Sequence, residues 1–227
     1  MSAELNWKEL APFTHLLVHQ LHYIALAFMV VAYTIKIRSI LKKPAVKEGT
    51  PARGDHKKAI QYSFLLLARP DEMESTRRHW FRWVEFAVFH VAMAVGITVA
   101  FTMPWAHDYM KGAFVVYFQQ GIFAVAALIG MSRLMRRITD PAMRAISSPD
   151  DYFCLFLLSA WMVSGVFNAP QASAFWLLAY FFLATFFLFY VPFSKISHYI
   201  CWPFMRYYMG KHFGHRGVYP KKRIAGA

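Results

Sequence analysis

The sequence is poor in cysteine, in acidic residues and in linker-like composition. Its two cysteines, Cys154 and Cys201, belong to no C-x-x-C pair and no C-x-x-C-H motif. Iron–sulfur clusters and c-type haem are therefore excluded on this chain, and both thiols read as packing residues. No apolar block carries a central Asp or Glu, and no internal repeat is visible. Both absences count against a transporter or ion-translocating subunit. No cleavable signal peptide is expected, because the first apolar block is too long for an h-region, follows Glu4, Lys8 and Glu9, and lacks a small-x-small site. Without a low-complexity linker, residues 1–227 read as one domain.

Apolar residues make up 58% of the 227, and they come in blocks: roughly 16–38, 83–104, 113–135, 152–168 and 174–195. About 20 apolar residues cross a bilayer core as a helix, so the pattern predicts an all-α membrane bundle of five transmembrane helices. Of the 25 Lys and Arg, 23 lie in the first connection, the third connection or the C-terminal tail; only Lys8 and Lys111 do not. By the positive-inside rule the N-terminus is then outside and the C-terminus cytoplasmic. The cytoplasmic parts include a connection at 39–82 and a basic tail at 200–227. The reading is of a multi-pass protein of the cell inner (cytoplasmic) membrane. The net charge of +13 needs no nucleic acid; membrane lipid or a docked subunit suffices.

Tryptophans read as interfacial belts, with Trp7, Trp105 and Trp176 outside and Trp80, Trp83 and Trp202 inside; Trp161 is the exception. The short outer connections Ala106–Gly112 and Asn168–Ala172 make their flanking helices antiparallel neighbours. In the first cytoplasmic connection, residues 42–58 contain Pro44 and Pro51 and read as mobile. Residues 59–68, closed by Pro70, read either as a surface helix, suited to docking, or as a solvated loop.

The ten histidines are the residues with chemical potential. His90 lies about two turns inside helix two, and His198 follows Pro192 on the continuation of helix five, so both sit toward the cytoplasmic side. Intramembrane ionisable groups are costly and usually functional, and imidazole is a common haem ligand. A lone intramembrane histidine can equally be a hydrogen-bonded packing residue. Arg133, Arg136 and Arg137 could meet haem propionates or lipid phosphate. His56 and His79 read as solvated, and His212 and His215 show no metal-ligand spacing.

Three segments carry a family resemblance: Phe89-His90-Val-Ala-Met-Ala-Val-Gly96 with Met103-Pro104, then Arg136-Arg137-Ile-Thr-Asp-Pro141-Ala-Met-Arg144 leading to Asp150-Asp151, and Pro192-Phe-Ser-Lys-Ile-Ser-His198. In order and spacing they resemble the gamma subunit of respiratory nitrate reductase, a five-helix cytochrome b. That resemblance implies a haem b near the cytoplasm, with His90 and His198 as its metal ligands. The family's second haem would use the positions ten residues after His90 and eighteen before His198. These hold Ala100 and Tyr180, neither of which is the usual ligand, so the site reads as abandoned or rebuilt. The departure resembles gamma-like subunits of transmembrane electron-transfer complexes of the high-molecular-weight cytochrome type. That narrower resemblance implies an outer-face multihaem cytochrome and a cytoplasmic iron–sulfur subunit as partners.

Helix one offers a replacement. His15, His19 and His22 are spaced i, i+4, i+7 and share one face toward the outer side. They could ligate a relocated second haem, with His107 supplying the opposing ligand. They could instead line a site for menaquinone or ubiquinone, or form a polar stripe packed between helices. The function expected is that of a haem b-binding electron-transfer subunit linking the quinone pool to partner redox subunits. The alternative is a haem-free membrane anchor for such subunits.

Overall fold

The computed structural model describes residues 12, 16–44, 48–69 and 72–221. Among them every regular element is helical. A π-helical segment, Leu16–Leu21, runs into α1 (His22–Lys42). Then follow α2 (His56–Leu65), α3 (Glu74–Arg78), α4 (Trp80–Met110), α5 (Ala113–Thr139), α6 (Pro141–Ile146), α7 (Pro149–Asn168), α8 (Ala174–Tyr190) and α9 (His198–His215). Five stretches are long and apolar enough to cross a membrane: Leu16–Lys42, Trp80–Met110, Ala113–Thr139, Pro149–Asn168 and Ala174–Phe193. At 1.5 Å per residue the shortest, of 20 residues, reaches about 30 Å, the thickness of a hydrocarbon core. Trp7, Lys8, Lys47, Pro70, Lys222 and Arg223 lie outside the described residues.

The first four spans run a few residues beyond their apolar blocks, because helices stop at caps and breakers rather than where polarity rises. α7 begins at Pro149 since the N–H and the hydroxyl of Ser148 both donate to Asp151 Oδ2, at 2.8 and 2.9 Å. A proline at the first position and two carboxylates in the first turn complete that start. Asp140 opens α6 by accepting from the Ala142 and Met143 amides. The connection read at Ala106–Gly112 is largely helical instead: α4 continues to Met110 through a break at Ala106 (φ −124°, ψ 30°), two residues after Pro104.

The chain divides into two compact units. One comprises Met1–Thr34 with Glu85–Ile196, the other Ile35–Val84 with Ser197–Ala227. In the first, small residues let helices approach closely. A Cβ at Gly130 of α5 would meet the Ser159 hydroxyl of α7, and one at Gly165 of α7 would stand 2.8 Å from the Phe123 ring of α5. Outward positions are apolar, with Phe114 82% and Leu128 71% exposed, as lipid contact demands. The first span is the least covered: 11% of its most apolar window is buried, against 28–44% in the others.

In the second unit α2 lies against α9. Gly210 and Gly214 sit one turn apart on α9; a Cβ at Gly210 would be 2.5 Å from Ile60 Cα, and one at Gly214 2.5 Å from Ala59 Cβ. The buried face of α2 (Ala59, Tyr62 and Ser63) therefore belongs to a helix pair, not to a solvated loop. The preceding segment, read as mobile, is tied to the same helix. Arg53 N–H donates to His215 O (2.7 Å), and Glu48 meets His212 (3.0 Å) and Arg216 (3.1 Å). The His212 hydrogen bond holds the half-buried Glu48 carboxyl below its usual range. His56, read as solvated, stacks on His215 with ring centroids 5.5 Å apart and shares a hydrogen bond with Lys211 O. Tyr62 is pushed up to about 12, first by desolvation and then by Glu72.

This second unit holds 18 of the 25 Lys and Arg but 5 of the 12 Asp and Glu. It therefore accounts for the whole +13 of the chain, and the first unit is net neutral.

Candidate functional site

His90 stands on α4 beside the buried Phe89. Its Nδ1 donates to the Phe86 carbonyl of the preceding turn at 2.7 Å, and the Phe86 ring lies 4.0 Å from the imidazole. A second hydrogen bond of this kind fixes tautomer and ring orientation in metal-ligating histidines and selects Nε2 as the binding atom. The donor chemistry at His90 therefore fits an iron ligand. The Arg133 guanidinium of α5 lies 5.7 Å over the Phe89 ring, which puts a cation beside the His90 segment. His198 is the first residue of α9, following Ser197, whose hydroxyl accepts from Lys36 Nζ at 2.8 Å. His90 belongs to the first unit and His198 to the second.

The positions that depart from the family pattern lie in the packed interior of the first unit. Ala100 is 2% exposed and Tyr180 0%. The Tyr180 hydroxyl donates to the Gly96 carbonyl of α4 at 2.6 Å, and its ring stacks on Trp161 at 5.6 Å. Trp161 and Met162 also press on Gly96, where an added Cβ would meet them at 3.2 and 3.1 Å. Around this point the space between α4, α7 and α8 is occupied by protein side chains. Burial of Trp161 among these helices also explains why it stands apart from the interfacial tryptophans.

Helix one separates its histidines by environment. His15 lies outside the described residues. The His19 ring meets Trp105 edge-on at 5.9 Å. His22 is 2% exposed, and its Nδ1 lies 3.1 Å from the Thr185 hydroxyl of α8. Phe101, Phe181 and Tyr23 ring it at 5.0, 6.2 and 6.4 Å. Its Nε2 is buried with no hydrogen-bond partner, a condition that costs about 1–3 kcal/mol. His107 Nε2 lies 3.3 Å from Asp108, and its carbonyl accepts from Gln171. Among the described residues, no three or more His, Cys, Asp or Glu are grouped to hold a metal ion.

One polar network joins two of the sequence motifs, at Asp150-Asp151 and Lys195, to Tyr190 and Cys154. The Tyr190 hydroxyl donates to Asp150, Lys195 N–H donates to Asp150 Oδ2 at 3.0 Å, and Lys195 Nζ pairs with Asp151 at 2.5 Å. The Cys154 thiol joins Tyr190 at 3.3 Å. This network borders a groove of about 810 Å³ walled by Leu134, Ile138, Phe153 and Phe156. Asp150 and Cys154 on α7, Tyr190 at the end of α8 and Lys195 beyond it lie about 40 residues apart in sequence, so only tertiary contact shows their pairing. Thr185 is different: it is the one threonine inside the most apolar span, a signal that the sequence carries.

Residues 77–180 match the family model of the nitrate reductase gamma subunit. The matched segment contains His90, Ala100 and Tyr180 and ends before His198. No curated protein and no solved structure matches the chain.

Proposed function

We propose, from the match of residues 77–180 to the nitrate reductase gamma-subunit family, that the chain is the haem b-carrying membrane subunit of a quinone-linked respiratory complex. The family is one of membrane cytochrome b subunits of respiratory complexes. The observation that carries the reading is the match spanning α4 to α8 with a histidine at position 90. His90 and His198 would hold the haem through their imidazoles, and the haem would supply one-electron chemistry when bound. His90 is supported as a ligand by its Nδ1–Phe86 hydrogen bond, which holds the imidazole in the ligating tautomer. Arg133 offers a counter-charge for a propionate. The tight packing around Tyr180 favours a single haem, with no second one at the Ala100/Tyr180 position.

Electrons pass between the quinone pool, as menaquinone or ubiquinone, and partner redox subunits. A cytoplasmic iron–sulfur subunit and an outer-face multihaem cytochrome are the partners proposed. The basic second unit suits the cytoplasmic contact, whether with that subunit or with anionic lipid. The chain sits in the inner membrane with its N-terminus outside, as one functional domain, and it works as part of a complex rather than as an enzyme alone.

Purified protein is expected to give a reduced-minus-oxidised b-type spectrum with close to one haem per polypeptide. A featureless spectrum would reduce the chain to a haem-free anchor for soluble subunits. A reporter fused at the C-terminus should read cytoplasmic, and one inserted after Asp108 should read external. The reverse pattern overturns the orientation.

A further inference from the structure

We infer that His22 is the headgroup contact of a membrane quinone site built by α1, α4 and α8, an inference that rests on the quinone-linked reading above. The starting point is an imidazole that is 2% exposed inside an apolar span and has one nitrogen satisfied and the other not. A packing histidine would be expected to use both ring nitrogens or to turn one toward water. Here Nδ1 is engaged by Thr185 and Nε2 has no hydrogen-bond partner. The pairing with Thr185 fixes the ring and leaves one nitrogen for a ligand.

The chemistry of the pair suits a quinone in both oxidation states. When Nδ1–H donates to the Thr185 oxygen, Nε2 is an acceptor for a quinol hydroxyl. When the Thr185 hydroxyl donates to Nδ1, Nε2–H is a donor for a quinone carbonyl. A neutral imidazole beside a hydroxyl can take either arrangement without gaining charge in an apolar setting. The surroundings match the rest of such a molecule. Phe101, Phe181 and Tyr23 supply aromatic surface around the imidazole. Tyr23 and Trp105 are joined by a 2.9 Å hydrogen bond and are 40% and 71% exposed. They thus carry the aromatic surface from His22 to the lipid-facing side of a span that is mostly uncovered. A substrate dissolved in the bilayer reaches this place without entering water.

Iron is the competing ligand for Nε2. An axial imidazole needs a second ligand across the porphyrin, yet His19 packs on Trp105 and His107 lies against Asp108. A quinone headgroup needs no such second ligand and is the better occupant.

The test titrates the purified full chain in detergent with 2-heptyl-4-hydroxyquinoline N-oxide, a quinone-headgroup analogue whose fluorescence is quenched on binding. His22→Leu is expected to raise its Kd about tenfold, as loss of one hydrogen bond to a buried partner implies. The haem spectrum should not change. His22→Gln, which keeps an N–H donor, should lose less, and Thr185→Val should weaken binding about threefold by freeing the ring. An unchanged Kd in monodisperse His22→Leu overturns the site, as does a wild-type chain that does not bind the probe. Loss of a haem signal in that variant would make His22 an iron ligand and also overturn it. If the Leu variant does not fold, unchanged affinity in both the Gln and Val variants overturns the site in its place. His22-dependent binding by a chain without haem would sink the electron-transfer reading and leave this site standing.

Discussion

Replacing either His90 or His198 by Ala is expected to abolish the same low-spin b-type signal completely. Six-coordinate iron between two imidazoles needs both, and a single remaining ligand would leave the haem high-spin or lost. Equal loss in the two variants is the informative result, because the residues lie in different units and share no local packing defect. Tyr180→Phe serves as the contrast. It removes the hydrogen bond to the Gly96 carbonyl, costs about 1–3 kcal/mol in stability through the buried acceptor, and should keep the spectrum intact. A normal low-spin spectrum in either histidine variant would show that the ligand pair is misassigned.

Gly210→Ala should open the second unit. On helix propensity alone the change would stabilise α9 by about 1 kcal/mol. Against this, the new methyl would sit 2.5 Å from Ile60 Cα and 3.0 Å from Ala59 O. Those atoms are backbone and cannot rotate aside. Overpacking of this kind costs typically about 1–3 kcal/mol and more where backbones must separate, so the steric term wins. The readout is trypsin cleavage at Arg53, Lys57 and Lys58, which should accelerate roughly tenfold for each ~1.4 kcal/mol of net local destabilisation. Gly49→Ala, where nothing lies within 4 Å of the added carbon, should cleave at the wild-type rate. Unchanged cleavage in Gly210→Ala would mean that the helix pair is not closed as described.

The five spans were legible because length and apolarity are one-dimensional properties. The same holds for Pro149 and Asp140, whose cap chemistry acts within three or four residues. Gly210 and Gly214 went unread in the sequence, because their role depends on a partner helix about 150 residues earlier. The tail was read only as basic and cytoplasmic. At His22 the sequence offered three histidines on one face and no means of ranking them. Thr185, 163 residues away, does the ranking by taking up one ring nitrogen. Likewise the substitution by Tyr180 was visible, whereas its consequence, a hydroxyl closing on the Gly96 carbonyl against Trp161, needed three helices to be placed.

The concentration of charge in one unit has an electrochemical consequence. Ions in solution respond to net charge over a Debye length of about 8 Å at physiological ionic strength. The neutral first unit presents them with no monopole, while the second presents all +13. Ionic strength is thus a control that acts on the association of the basic unit and leaves the apolar bundle, with its internally paired Asp150, Asp151 and Lys195, largely untouched.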